Sequence, residues 1–429
     1  MLATSVTRVE VRPSSSGVPD DLGAPDLPGS KSHVQRAMLL AAGSSAGVLL
    51  RGATSCGDVE LLGRGIRQLG GEVSWQEEGL RVVGGLRPGV SGALDAGENA
   101  TAARMLATAV SLLGGHLILD GAARLRERPM APLFDLLELG GARCAADAWP
   151  LVIDARESQW PRRLAVQAGI TTQVASGAVL GAALAALNDG DERVVEVLDA
   201  GASGYLRVTA AVARAFGHPI TIEETADRMV IRVGGGSVTR EIGEYQVPAD
   251  PSAMAFPATL GAILGRGPFR YEVNDDGHPD HAIIGDLERL ASAERGAHVE
   301  LLELGSRPDT FPALCVAAMC RVGRTILAGA PALRGKECDR IAAMARAAAA
   351  AGLRCVELDD GLEIEGPIAT DGPMIALPAP ADHRVVMALS LLGAVRSGGV
   401  RLDVGHAVSK SWPGYYSWLA RVADVRPET

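Results

Sequence analysis

One arrangement recurs along the chain and limits what it can fold into. Five segments run in the same order: an amphipathic helical pattern, one or two glycines, then an apolar strand pattern. They read LLGRGIRQLGGEV, LFDLLELGGARC, AVARAFGHPITI, LERLASAERGAHV and AAMARAAAAAGLRC, with closing glycines Gly71, Gly141, Gly217, Gly296 and Gly352. Each glycine suits a helix C-cap in the left-handed region, where a side chain is penalised. The strand patterns lead into short hairpins, with turns expected at Gly79-Leu80 and Asp360-Gly361. A last helix-like stretch, YYSWLARVADV, closes a sixth unit. Six units in 429 residues average about 72 residues, roughly twice a common solenoid repeat. The expected class is therefore α/β, with six α-plus-several-β units closing as one ring or as two domains of three. Ordinary αβ units in an open sheet are the plainer alternative.

Composition narrows the function. The chain is 47% hydrophobic but only 3% aromatic, so Ala, Val, Leu and Ile must build the core. A net charge of −10 argues against nucleic acid or an anionic membrane as partner. An anionic small substrate would then need a local basic cluster. Cys56, Cys144, Cys315, Cys320, Cys338 and Cys355 form no C-x-x-C pair, so no zinc or redox motif appears. They read as small hydrophobes in a reducing compartment. There is no apolar run long enough to span a bilayer and no charged-then-apolar leader pattern, so a cytoplasmic location is expected.

Basic clusters do occur. LPGSKSHVQRAMLL (Leu27–Leu40) puts a Gly-Ser-Lys-Ser turn at the head of an apolar helix. It is not a P-loop, because Ser30 stands where glycine must precede the lysine. Ser30 or Ser32 can cap the helix, and the free N–H groups, the positive helix end and Lys31 together favour an anion. A capped helix with a solvated lysine is the bland reading. Further on, GENATAAR carries Arg104, RERP carries Arg126 and Arg128 at an expected helix start, and GKECDR carries Lys336, Glu337, Asp339 and Arg340. ADHR carries Asp382, His383 and Arg384, and SKSWPGYY carries Lys410. Charge thus gathers where the chain enters apolar helices, and in an αβ repeat those ends share one side of the sheet. Guanidinium groups there suit bidentate binding of phosphate and carboxylate. Singly, each motif also reads as structure: a helix-start salt-bridge cluster, a hydrogen-bonded Asp382–His383 pair, a solvated Lys410. NDDGHPDHA, with Asp276, His278 and His281, reads as a polar loop rather than a metal site.

In order, PGSKSHVQR, RERP, KECDR, ADHRVVMALSL and SKSWPGYY resemble the 5-enolpyruvylshikimate-3-phosphate (EPSP) synthase family over nearly the whole chain. The resemblance implies a two-domain inside-out α/β barrel with three βαβαββ-like repeats per domain. It places an N-terminal domain at 29–246 and a second domain at 1–28 with 247–429, hinged near Pro28 and Gln246–Asp250. It implies transfer of the enolpyruvyl group of phosphoenolpyruvate to a hydroxyl, above all the 5-hydroxyl of shikimate 3-phosphate, by a monomer that needs no metal or cofactor. Another acceptor, such as a nucleotide, or a non-catalytic anion-binding paralogue are the alternatives. Lys31, Asp309, Glu337 and Lys410 would be catalytic. Lys31, Arg128, Arg340, Arg384 and Lys410 would hold phosphoenolpyruvate. Ser32, Arg36, Thr171, Thr172, Gln173, Ser203, Tyr205, Asp309 and Lys336 would hold the acceptor.

The chain departs from the family pattern in three places. Glu98 and Ala100 stand where the family has asparagine and glycine, and a carboxylate beside phosphoenolpyruvate would be electrostatically odd unless paired. Thr171-Thr172 replaces a serine-rich pair, and Gly204 precedes Tyr205 where proline is usual. The last two departures fall on the acceptor side.

Overall fold

The computed structural model describes residues 7–15, 17, 25–145, 149–168, 171–199, 204–225, 228–234, 242–266 and 277–428. Its strands form five four-stranded sheets among these residues, and all five share one order. In one of them, Ser91–Asp95 runs parallel to His116–Asp120, which pairs antiparallel with Leu151–Asp154, which pairs antiparallel with Arg143–Cys144. A parallel pair needs a crossover, and the helix Ala100–Leu112 supplies it. The unit is thus βαβαββ. The sheets of Arg163–Gln167, Arg193–Leu198, Arg228–Val233 and Ile220–Glu224, and of Val299–Leu301, Gly323–Leu327, Gly361–Gly366 and Arg354–Leu358, repeat it.

Two sheets borrow a strand from far along the chain. Val48–Arg51, Gly79–Val83 and Glu72–Gln76 take Glu244–Gln246 as their parallel strand. Ile375–Ala376, Val400–Leu402 and Ala423–Glu428 take Arg8–Pro13 as an inner antiparallel strand. The chain forms two compact units: Gly29–Ala249 with Asn274–His278, and Met1–Pro28 with Asp250–Val273 and Pro279–Thr429. They are called the first and second unit below.

Each unit centres on three helices buried on nearly every side. In the first they are Lys31–Ala41, Ala100–Leu112 and Gln173–Asp189; in the second, Pro251–Ile263, Phe311–Cys320 and His383–Val395. Their apolar and small residues go all the way round, the composition of a helix with no solvent face. Small residues also set the spacing. A Cβ at Gly177 would lie 2.9 Å from Met105 Cα, and one at Gly181 would lie 3.0 Å from Ala109 Cα. The helices Gly57–Gln68, Gly204–Ala215, Ile283–Ser292 and Arg340–Ala350 bury one face only.

Several local expectations need correction. Gly141, Gly217 and Gly352 are left-handed just past their helices, but in the first repeat the left-handed residue is Gly70, not Gly71, and Gly296, also left-handed, lies in a separate turn beyond Ala293, the extended C-cap of Ile283–Ser292. Gly71 is required instead by packing, since a Cβ there would strike the Gly84 carbonyl. The hairpin turns are Glu77-Glu78 and Asp359-Asp360, with Gly79 and Gly361 already in the strands. The RERP residues lie between two helices: Arg126 ends the short helix Ala123–Arg126, and Pro129 directly precedes Met130, the N-cap residue of Ala131–Leu139. Lys410 ends the 3₁₀ turn Gly405–Lys410. No helix among the described residues is long and apolar enough to cross a membrane.

Candidate active site

In the first unit the polar residues gather at the N-terminal ends of the buried helices. Ser30 caps Lys31–Ala41, its hydroxyl accepting from the His33 N–H at 3.5 Å. The preceding Gly29 is held by Thr54, whose hydroxyl accepts from its N–H at 2.8 Å. A Cβ on Gly29 would collide with the Gly52 carbonyl, so the turn demands glycine. Lys31 Nζ lies 2.8 Å from Asp58 Oδ2, and both groups are largely buried.

Arg36 is buried and ties three helices together. It donates to Thr209 Oγ1 at 2.7 Å, to the Ser32 carbonyl at 2.9 Å, to Ser176 Oγ at 3.2 Å and to the Tyr205 carbonyl at 3.3 Å. Burial pulls its guanidinium down to about 10, a shift that the Tyr205 and Tyr245 hydroxyls only partly oppose. A buried cation whose partners are neutral is electrostatically incomplete.

Arg104 and Gln173 continue the network. Arg104 Nη1 donates to Gln173 Oε1 at 2.6 Å and Nη2 to the Pro129 carbonyl at 2.5 Å, while Gln173 Nε2 donates to Thr101 Oγ1 at 2.8 Å. Beside Pro129 stands Arg128. It is 8% exposed, and its Nε has no hydrogen-bond partner among the described residues. Its neighbour Arg126 is spent on Asp120 at the surface. Thr172 is the N-cap residue of Gln173–Asp189, with Thr171 beside it accepting from the Gln173 N–H. Tyr205 meets His278 edge-on, ring centres 5.2 Å apart. Ser203 lies outside the described residues. Glu98 is exposed, and Asn99 rather than Glu98 is the buried cap, accepting from the Ala102 N–H at 2.9 Å and donating to the Asp58 carbonyl at 2.8 Å. The odd carboxylate expected from the ungapped motif therefore points to solvent, while Ala100 is buried in the core cluster.

The second unit holds the remaining candidates in one ion cluster. Arg340 donates from Nε to Asp382 at 2.9 Å, from Nη1 to Asp309 at 2.8 Å and to the Pro308 carbonyl at 3.1 Å, and from Nη2 to Glu337 and Asp382 at 3.4 Å each. A guanidinium has five N–H donors, and here every one is engaged. Burial would lower its pKa, but Asp382, Asp309 and Glu337 outweigh burial and hold it well above the usual value. Arg384 differs. It is 1% exposed and lies 3.5 Å from Asp309 and 4.0 Å from Asp250, yet its Nε and Nη1 have no hydrogen-bond partner among the described residues. Lys410 Nζ is 3.4 Å from Glu337 Oε1. Lys336 reaches the cluster through its charge, acting on Asp280.

The sequence reading missed Asp58, Asp250 and Asp280. Asp250 had a visible signal, since Asp-Pro-Ser is a cap followed by Pro at the first helical position. Asp58 and Asp280 had none, because their partners are distant in sequence. No group of His, Cys, Asp and Glu able to hold a metal occurs among the described residues.

Comparison with known proteins follows the same lines. The family model described as EPSP synthase (3-phosphoshikimate 1-carboxyvinyltransferase) matches residues 23–269 and 281–419. A Thermococcus kodakarensis protein named 3-phosphoshikimate 1-carboxyvinyltransferase is 31% identical over 413 residues, covering 94% of this chain and 98% of its own. Among solved structures the chain is similar to an EPSP synthase of Acinetobacter baumannii, with TM-score 0.74, 23% identity and coverage of 98% and 99%. It is also similar to the enolpyruvyl transferase NikO of Streptomyces tendae, with TM-score 0.70, 18% identity and 99% coverage of each chain.

Proposed function

The chain belongs to the EPSP synthase family, and from that premise we propose how its residues move the enolpyruvyl group of phosphoenolpyruvate onto shikimate 3-phosphate. One observation supports the reading most. Arg128 and Arg384 are buried guanidiniums with donors left open by the protein. A buried donor without an acceptor is costly, so such donors fit groups built for a phosphate or a carboxylate.

Arg384 takes the carboxylate of phosphoenolpyruvate through its open Nε and Nη1. Arg340 joins it only by exchanging one of its present partners. Arg128, Lys31 and Lys410 serve the phosphate. On the acceptor side, Ser32, Arg36, Thr171, Thr172, Gln173, Ser203, Tyr205 and Lys336 hold shikimate 3-phosphate. The acceptor hydroxyl adds to C2 of the enol while C3 gains a proton, giving a tetrahedral ketal phosphate. Loss of phosphate from C2 and of a proton from C3 then restores the double bond. Asp309 takes the hydroxyl proton, its carboxylate aligned by Arg340 and Arg384. Glu337, coupled to Lys410, delivers and recovers the C3 proton. The guanidiniums stabilise charge that grows on the leaving phosphate.

The test is phosphate release from phosphoenolpyruvate with shikimate 3-phosphate and, separately, with other hydroxyl acceptors. Asp309→Ala and Glu337→Gln should each slow turnover on the order of 10²–10⁴. Near-normal rates in both variants would remove the assigned roles, and release with a different acceptor alone would remove the substrate.

A further inference from the structure

Asp280 plays no part in the transfer as assigned above, yet it is wholly buried in the same cluster. It sits in the 3₁₀ turn Pro279–Ala282 and is 0% exposed. Ser252 Oγ donates to its Oδ2 at 2.5 Å. Ser252 lies in the first turn of the buried helix Pro251–Ile263, next to Asp250, which caps that helix and approaches Arg384. Asp309 repels the Asp280 charge, while Arg384 and Lys336 attract it. The helix Ile283–Ser292 also packs on the turn; its Asp286 is already held by Arg307 at 2.7 and 2.9 Å. His281 is the neighbour within the turn.

Counting charges shows what is at stake. Asp250, Asp280, Asp309, Glu337 and Asp382 are the carboxyls of the cluster. Lys336, Arg340, Arg384 and Lys410 are its cations. With every group ionised, the carboxylates named among the described residues outnumber the named cations by one, before any anionic ligand arrives. Burial first, then repulsion by Asp309, pushes the Asp280 carboxyl up to about 6, with Ser252, Arg384 and Lys336 opposing.

On the reading that this cluster holds phosphoenolpyruvate, we propose that Asp280 is a positioning residue that balances charge. It takes a proton from solvent as the anion enters, so Arg384 faces the ligand without a competing buried carboxylate. Linkage makes the effect reciprocal: whatever the anion adds to proton affinity, the proton adds to anion affinity. Capture of phosphoenolpyruvate therefore weakens as pH rises through about 6, where Asp280 ionises in the free protein.

The experiment compares kcat/KM for phosphoenolpyruvate in wild type and Asp280→Asn from pH 5.5 to 8.5, at saturating shikimate 3-phosphate. The ratio cancels the ligand's own titration. The variant should match wild type at the acid end and exceed it about tenfold at the alkaline end, if the bound anion raises the carboxyl by one unit. The gain should lie in KM rather than kcat. Ser252→Ala removes a bond that favours the charged form, so it should move the wild-type decline to higher pH. It also serves as the probe if Asp280→Asn does not fold. A ratio that stays constant with pH, or a decline unmoved in Ser252→Ala, overturns the proposal. Absence of turnover with phosphoenolpyruvate in wild type would instead overturn the reading beneath it.

Discussion

Lys31, Lys336 and Lys410 are the only lysines of the chain; arginine supplies the rest of the 41 basic side chains. Arginine makes the exposed pairs, such as Arg163–Glu196 and Arg324–Glu363. Lysine remains only in the two clusters of candidates. The ammonium is compact and able to give up a proton, which a planar guanidinium is not. Lys410, beside Glu337, is the sharpest case. Lys410→Arg should keep the fold but lower kcat on the order of 10², while a comparable exposed change such as Arg324→Lys leaves turnover unchanged. Equal kcat in Lys410→Arg and wild type would mean that only the charge matters there. At this scale the sequence carries identity but not partnership. Motif order picks out Arg340 and Arg384 alike, yet one has every donor engaged and the other has two nitrogens without a hydrogen-bond partner among the described residues. That difference comes from Asp382 and Asp309, which reach Arg340 across 42 and 31 positions of chain.

Elements were legible to the extent that periodicity marks them. The amphipathic helices ending in Gly141, Gly217 and Gly352 stand out because one face is polar and the cap needs a left-handed residue. The buried helices carry no such period, since they have no solvent face; there the cap residues Ser30, Asn99, Asp250 and Asp382 are the stronger signal. The turn after Gly204–Ala215 carries a consequence of its own. Gly217 adopts φ 87° and tucks His218 behind the helix end, where its N–H donates to the Ala213 carbonyl at 3.1 Å. Burial lowers the His218 imidazole to about 4. Between that value and the unfolded value of 6.5, the unfolded chain binds the proton more readily. Stability should be intact above about 6.5 and fall as pH drops towards 4, by on the order of 3 kcal/mol from this residue. Urea unfolding midpoints at pH 7 and pH 4.5 measure it. In His218→Gln the acid loss should shrink; an unchanged loss would place the acid sensitivity elsewhere.

For the molecule as a whole, a repeated unit was visible in the glycine spacing, and five units stand as four-stranded sheets among the described residues, but the way the units close was not visible. Nothing local in Arg8–Pro13 announces that it completes a sheet whose other strands begin at Ile375. Seen in the βαβαββ order, that sheet is a permuted repeat: Arg8–Pro13 is the final strand, displaced to the front of the chain. Its pairing with Ala423–Glu428 is antiparallel and sets Arg8 opposite Glu428. In the unpermuted repeats those two strands are a hairpin, as Arg354–Leu358 and Gly361–Gly366 are. Joining Glu428 to Arg8 through a linker of about three residues should therefore rebuild an ordinary hairpin. New ends opened at the exposed turn Glu77-Glu78 would cut only a surface connection. Such a permutant should fold, turn over phosphoenolpyruvate within about threefold of wild type, and unfold at a similar midpoint, because every pairing and both charge clusters are kept. Removal of residues 1–13 is the opposite case. It takes out an inner strand, leaves Ala423–Glu428 without its strand partner and Val400–Leu402 paired on one edge only, and uncovers the core that Val9 and Val11 seal; no folded enzyme should be recovered. If the permutant fails and the truncation survives, the front strand is an ornament rather than the last strand of a repeat.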